Sequence, residues 1–143
     1  MKHLVLLPLA LALSLSVAAC ATSRSIAPQV APASVDFANA QRVEVVLDDF
    51  SFAPNTLHLV AGRPMVLALT SASGGGHNFA APGFFEAAQV AASDAVVIAD
   101  GKVEVAGGQT VEIRLVPAAG GYDLDCTHLG HSVLGMSGSI VVR

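Results

Sequence analysis

Cysteine is scarce in this chain: Cys20 and Cys126 are the only two in 143 residues. Cys20 closes an apolar leader, which leaves Cys126 without an intramolecular disulfide partner and excludes a disulfide framework. An unpaired thiol in an oxidising compartment oxidises or cross-links unless something occupies it, and a bound metal is the economical occupant. Basic runs are missing as well. From Cys20 onward, six basic residues (Arg24, Arg42, Arg63, Lys102, Arg114, Arg143) stand against eleven acidic ones, a formal net charge of −5. That balance argues against a nucleic-acid partner. The sequence has no Gly-x-Ser-x-Gly, no phosphate loop, no other catalytic set and no internal repeat.

The one long apolar run, residues 4–17, follows Lys2 and His3 and is too short for a comfortable membrane span. It inflates the apolar fraction of 53%, which therefore does not describe a membrane protein. The run ends in Val17-Ala18-Ala19-Cys20, which resembles the lipobox of bacterial lipoproteins. The resemblance implies cleavage before Cys20 and a diacylglycerol on its thiol. Ala21, not Asp, comes next, which implies outer- over inner-membrane retention in a Gram-negative periplasm. The other reading is an ordinary secretory signal cleaved nearby, with Cys20 discarded or left free. The domain expectation is a signal over residues 1–19, a lipidated cysteine and tether over 20–40, and a folded domain over 41–143. Residues 21–35, rich in Ala, Pro and Ser and without periodicity, read as the tether. A mature chain of 124 residues suffices for one core and one site.

The remainder is short apolar runs separated by Gly, Pro and Asn/Asp. Strands are expected over 43–47, 50–52, 56–60, 65–70, 102–105, 110–116, 122–126 and 139–142. In the second of these, Phe50 and Phe52 should share a face. Pro54-Asn55 makes a turn. Residues 65–70 suit burial on both faces, and 110–116 show the cleanest alternation. Seven or eight such strands argue for an antiparallel sandwich. Residues 83–91 lack alternation and read as a short helix, with Phe84 or Phe85 packed under the sheet.

The chemistry concentrates in Cys126-Thr-His-Leu-Gly-His131-Ser-Val-Leu-Gly-Met136. A thiolate, an imidazole and a thioether at five-residue steps are ligands that copper takes in electron-transfer sites. Gly130 and Gly135 allow the tight backbone such a loop needs. A blue-copper centre takes two histidines, a cysteine and a long axial methionine. The best second histidine is His77, after Gly74-Gly75-Gly76. The side chain of Asn78 is placed to hydrogen-bond across to the cysteine loop. His128, two residues from Cys126, should point away from the site in an extended segment. His58 reads as a surface strand position and Tyr122 as a structural tyrosine before the loop.

The loop resembles the copper loops of cupredoxins. Cys126-Thr127 and Gly130-His131-Ser132 are similar to azurin, the Cys-x4-His-x4-Met spacing to rusticyanin, Gly121-Tyr122 to plastocyanin, and His77-Asn78-Phe79 to the first-histidine segment of azurin. One departure is His128-Leu129, where these loops usually carry a proline. The resemblance covers residues 43–143. It implies an all-β, Greek-key antiparallel β-sandwich with one short helix after the first copper histidine. It also implies one copper ion, cycling between Cu(I) and Cu(II), held by His77, Cys126, His131 and Met136. The implied function is periplasmic electron transfer by a monomer. A redox partner such as a cytochrome would dock near His131, on a patch of Leu129, Val133 and Leu134, and the lipid anchor would be the only membrane contact.

An enzyme is the weaker reading. Multicopper oxidases need many more histidines than the four of the mature chain, and a binuclear copper centre needs a second cysteine where Gly130 stands. The alternative is a periplasmic copper carrier or buffer, against which stand only two mature methionines, Met65 and Met136.

Overall fold

In a computed structural model, residues 25–143 are described. The signal and Cys20 lie outside them. The strands are β1 Gln29–Val30, β2 Gln41–Asp48, β3 Ser51–Ala53, β4 Thr56–Leu59, β5 Met65–Ser71, β6 His77–Ala80, β7 Gln89–Val90, β8 Lys102–Val105, β9 Thr110–Val116, β10 Gly120–Asp125 and β11 Ser137–Val142. One helix, α1 Pro82–Ala87, precedes β7, and a 3-10 turn covers Ala95–Val97. The strands form two sheets, in the orders β1-β7-β9-β5-β2-β3 and β4-β11-β10-β6-β8. This is the expected all-β sandwich with one short helix.

Pairing is mixed where antiparallel pairing was expected throughout. β2 runs parallel to β5, β4 to β11 and β1 to β7. The cause is connectivity. After the β2–β3 hairpin the chain passes at Pro54-Asn55 into the second sheet as β4, then returns, so β5 arrives beside β2 in the same direction. Turn residues mark where strands end, and pairing partners are set by the crossing.

The alternation read from sequence sorts the two faces. In β9, Ile113 and Leu115 are buried while Glu112 and Arg114 face out. β5, paired with β9 on one side and β2 on the other, buries Met65, Leu67, Ala68 and Leu69. Phe84 and Phe85 from α1 are both buried and pack edge-on in a chain of rings, Phe52–Phe79–Phe85–Phe84–Tyr122, with centroids 5.4 to 6.1 Å apart. The Tyr122 hydroxyl donates to Ala118 and Ala119 carbonyls at 3.0 and 3.2 Å, which fixes the corner entering β10.

Two expectations shift. The helix is confined to residues 82–87, because Gln89 and Val90 pair with β9 as strand β7. The tether does not run unattached to residue 40: Gln29 and Val30 are strand β1, in register with Gln89 and Val90. No helix among the described residues is long and apolar enough to cross a membrane.

Candidate metal centre

His77 opens β6, directly after the glycine turn, and is buried. Two serines tie that turn: Ser71 Oγ and Ser73 Oγ both donate to the Gly75 carbonyl, at 3.1 and 3.2 Å. Gly107 lets the turn come close, since a Cβ there would collide with the Gly74 carbonyl. Ser73 Oγ also lies 2.7 Å from His77 Nε2. The arrangement that serves every group has Nε2–H donating to Ser73 Oγ, the Ser73 hydroxyl donating to Gly75, and the lone pair on Nδ1. Asp49 Oδ1, 3.8 Å from Nε2, favours the same tautomer. Nδ1 is buried and has no hydrogen-bond partner. Burial, followed by the neighbouring His131, lowers the His77 pKa, so the ring is neutral at pH 7.

Cys126 follows β10 and is buried. The loop after it folds on itself. His131 N donates to the His128 carbonyl (3.1 Å), Leu134 N to Gly130 (3.0 Å), Gly135 N to Ser132 (3.0 Å) and Met136 N to His131 (3.0 Å). Cys126 N closes the loop on the Met136 carbonyl at 3.1 Å. Gly130 and Gly135, at φ 83° and 108°, take the left-handed turns this needs. His131 Nδ1 thereby sits 3.5 Å from Cys126 Sγ. One ligand atom each from His77, Cys126 and His131 lies within 4.8 Å of the others. Met136 is buried beside them in the loop, as is expected of the fourth member.

A polar clamp joins the first histidine strand to the cysteine loop. Asn78 Oδ1 accepts from Thr127 N at 2.8 Å, and Asn78 Nδ2 donates to Thr127 Oγ1 at 2.8 Å and to Glu104 Oε1 at 3.0 Å. The other Glu104 oxygen takes His128 Nε2 at 2.9 Å. Burial raises the Glu104 pKa, but the His128 and Asn78 hydrogen bonds prevail and hold it low. The Asn78 bridge was read from the sequence. The His128 ring was expected to point away from the site; it lies with its centroid 6.5 Å from that of His77 and 5.5 Å from that of His131, and it is not among the three grouped ligands. His58 is exposed on β4.

Ser73, Glu104 and Phe50 were missed as members of the site. Phe50 also corrects an expectation. It does not share a strand face with Phe52, because β3 begins at Ser51 and Phe50 takes φ 61°. Its ring is part-exposed and packs edge-on to His131, centroids 5.4 Å apart. Only the long-range meeting of that turn with the loop reveals this, and no local signal carries it.

The family model for copper binding proteins of the plastocyanin/azurin family matches residues 39–143. The chain belongs to this family. No curated protein matches the sequence. Among solved structures, auracyanin B aligns at a TM-score of 0.56 with 22% identity, covering 83% of this chain and 97% of that one. Auracyanin from Roseiflexus castenholzii gives 0.52 with 16% identity, over 73% and 98%. The McoA multicopper oxidase from Aquifex aeolicus gives 0.61 with 19% identity, but only 31% of it is covered. At these identities the likeness shows the fold.

The cupredoxin donor set suits one copper ion on this chain's own terms. The thiolate is soft, the imidazoles are borderline, and His77 Nδ1 is buried with no hydrogen-bond partner in a group whose ligand atoms lie within 4.8 Å of one another. A buried polar atom without a partner costs on the order of 1–3 kcal/mol, which a metal bond offsets.

Proposed function

We propose that the chain is a periplasmic electron-transfer cupredoxin, not an enzyme, in which Met136 is the weak axial ligand to a blue copper ion. The observation that carries this is the preset state of His77. The ring is buried, and Ser73 Oγ lies 2.7 Å from its Nε2, which leaves Nδ1 without a protein partner. The loop that sets Cys126 against His131 is likewise closed by its own backbone hydrogen bonds. Bound copper supplies a one-electron couple. The protein's part is to keep the donors where they are in both oxidation states, which lowers reorganisation and favours outer-sphere transfer.

His131, part-exposed, is the donor nearest solvent. Leu129, Val133, Leu134 and Phe50 ring it with exposed apolar surface. A redox protein such as a cytochrome docks there, steered by the net charge of −5 towards a basic partner. Cys20, lipidated, holds the protein at the outer membrane. A carrier that hands copper on needs ligands that open easily, whereas His77, Cys126 and Met136 are all buried.

The test is the visible and EPR spectrum after Cu(II) addition, with Cys126→Ser alongside. The native chain should show an intense band near about 600 nm and narrow hyperfine splitting, and the variant should lose both while remaining a folded sandwich. A pale, broad-split native spectrum would move the function to copper handling.

A further inference from the structure

The chain enters the folded body at one pole, and that pole is the one opposite the copper ligands. Ser25 Oγ donates to Asp100 Oδ1 at 3.1 Å, and Ile26 packs against Gly101, where an added Cβ would come within 3.2 Å of its Cγ2. Gln29 N and Ala31 N then donate to the Ala88 and Val90 carbonyls at 3.3 and 2.8 Å. The ladders place these contacts. Between β6 and β8, His77 pairs with Val105 at the copper end and Ala80 with Lys102 at the other. In the first sheet, Ser71 at the end of β5 leads into the glycine turn at the copper end. Met65 stands at the far end beside Leu115, which pairs with Val90 of β7. The seven residues of β5 alone span roughly 20 Å between these ends.

Resting on the lipidation of Cys20, we propose that the pole bearing Ser25, Val96 and Val97 lies against the bilayer, and that the copper pole faces away from it. Four residues separate Cys20 from Ser25, and the five Cα–Cα steps between them reach at most about 18 Å. A diacylglycerol-bearing Cys20 therefore keeps Ser25 within that distance of the lipid surface. The inverted arrangement, with Leu129 and Val133 on the lipid, raises Ser25 by roughly the 20 Å that β5 spans, which leaves the four intervening residues at or past full extension. The near pole also has the surface for lipid. Val96 and Val97 are 82% and 42% exposed on the 3-10 turn, which is hinged to β7 through Ala95 N donating to the Ala91 carbonyl at 3.1 Å. Val30, 59% exposed on the edge strand, borders an apolar groove of about 380 Å³ formed with Pro32, Phe37, Ala91 and Ala92. Apolar side chains of this kind seat at the headgroup boundary when an acyl anchor holds them there. A soluble redox partner then reaches His131 from the aqueous side while the protein stays seated.

The experiment is hydrogen exchange on the full lipoprotein in nanodiscs of phosphatidylethanolamine with a minor share of phosphatidylglycerol, compared with the soluble chain starting at Ala21. Intact mass first establishes whether Cys20 is acylated. Exchange over residues 26–31 and 94–102 should slow by about tenfold or more on the nanodisc, with residues 129–134 unchanged. A long Gly/Ser spacer inserted between Arg24 and Ser25 should weaken that protection, because the seat is enforced by tether length. An unmodified Cys20 removes the lipid reading and this proposal together. An acylated chain protected over residues 129–134, or unprotected over 94–102, overturns the orientation alone.

Discussion

Ser73 Oγ, 2.7 Å from His77 Nε2, is placed to hold the ring as the Nε2–H tautomer and so to present Nδ1 as the free donor. In Ser73→Ala, Nε2 loses its acceptor and the proton is free to move to Nδ1. The expected result is a Cu(I) affinity lower by about 10- to 100-fold, the usual cost of removing a partner that orients a ligand. Competition with a chromophoric chelator reads the affinity, and nitrogen-15 shifts of His77 in the apo chain read the tautomer. An unchanged tautomer would mean that burial alone orients the ring. Met136→Gln is a milder change: copper should stay bound and the reduction potential should fall, as voltammetry would show. Loss of the metal would make Met136 a principal ligand. The ligands were legible in the sequence because cysteine, histidine and methionine are rare here and three of them share one loop. Ser73, Glu104 and Phe50 were not, because each acts by a contact that the fold creates. Glu104 meets Asn78 and His128 at separations of 26 and 24 residues. Ser73 is only four residues from His77, yet a serine beside three glycines gives no sign of which nitrogen it will meet.

At the level of elements, the 3-10 turn over residues 95–97 is secured to β9 by Asp94. Its carboxylate takes Arg114 Nε and Nη2 at 2.8 Å each and Arg114 N at 2.9 Å. The Arg114 hydrogen bond lowers the Asp94 pKa from 3.8 to about 2. A carboxyl depressed in the folded state stabilises the fold above its unfolded pKa, and that contribution fades as pH falls from about 4 to about 2. With Arg114 half exposed, solvent screening leaves on the order of 1–2 kcal/mol. Asp94→Asn should therefore lower urea stability near neutral pH by about that amount, and the gap to the native chain should close near about pH 2. A gap independent of pH would show that the carboxylate charge is not what secures the turn. Elements were more legible than their pairing. Alternation in β9 and burial of β5 on both faces follow from side-chain period and composition. The parallel pairing of β2 with β5 does not, since it depends on the chain leaving the sheet between them. The two-residue strands β1 and β7 are too short to carry any period. The first was hidden in an Ala/Pro/Ser stretch, and the second was absorbed into the helix expected over residues 83–91.

Across the whole molecule, exposed apolar side chains gather at two places, Leu129, Val133 and Leu134 around His131 and Val96 and Val97 on the 3-10 turn. Around His131 the apolar residues are among the most exposed in the protein, Leu129 fully so. They pack on little, so substituting them should change stability by no more than about 0.5 kcal/mol. Leu129→Asp with Val133→Asp places two carboxylates where two copies must approach if electrons leave through His131. Each copy already has a net charge of −5, so the added charges oppose contact and desolvate poorly. Electron self-exchange, read from NMR line widths in mixtures of Cu(I) and Cu(II) protein, should slow by about tenfold or more, with the reduction potential nearly unmoved. Raising the salt should recover the part due to net charge, because charges beyond about 10 Å are screened at about 0.1 M. It should not recover the part due to lost apolar contact. The same pair of changes made at Val96 and Val97, on the opposite pole, should leave self-exchange untouched. If the two pairs slow it equally, net repulsion governs the encounter and His131 is not the exit. If only the first pair does, the rate is set at the apolar ring, and the route from copper to partner runs through that histidine.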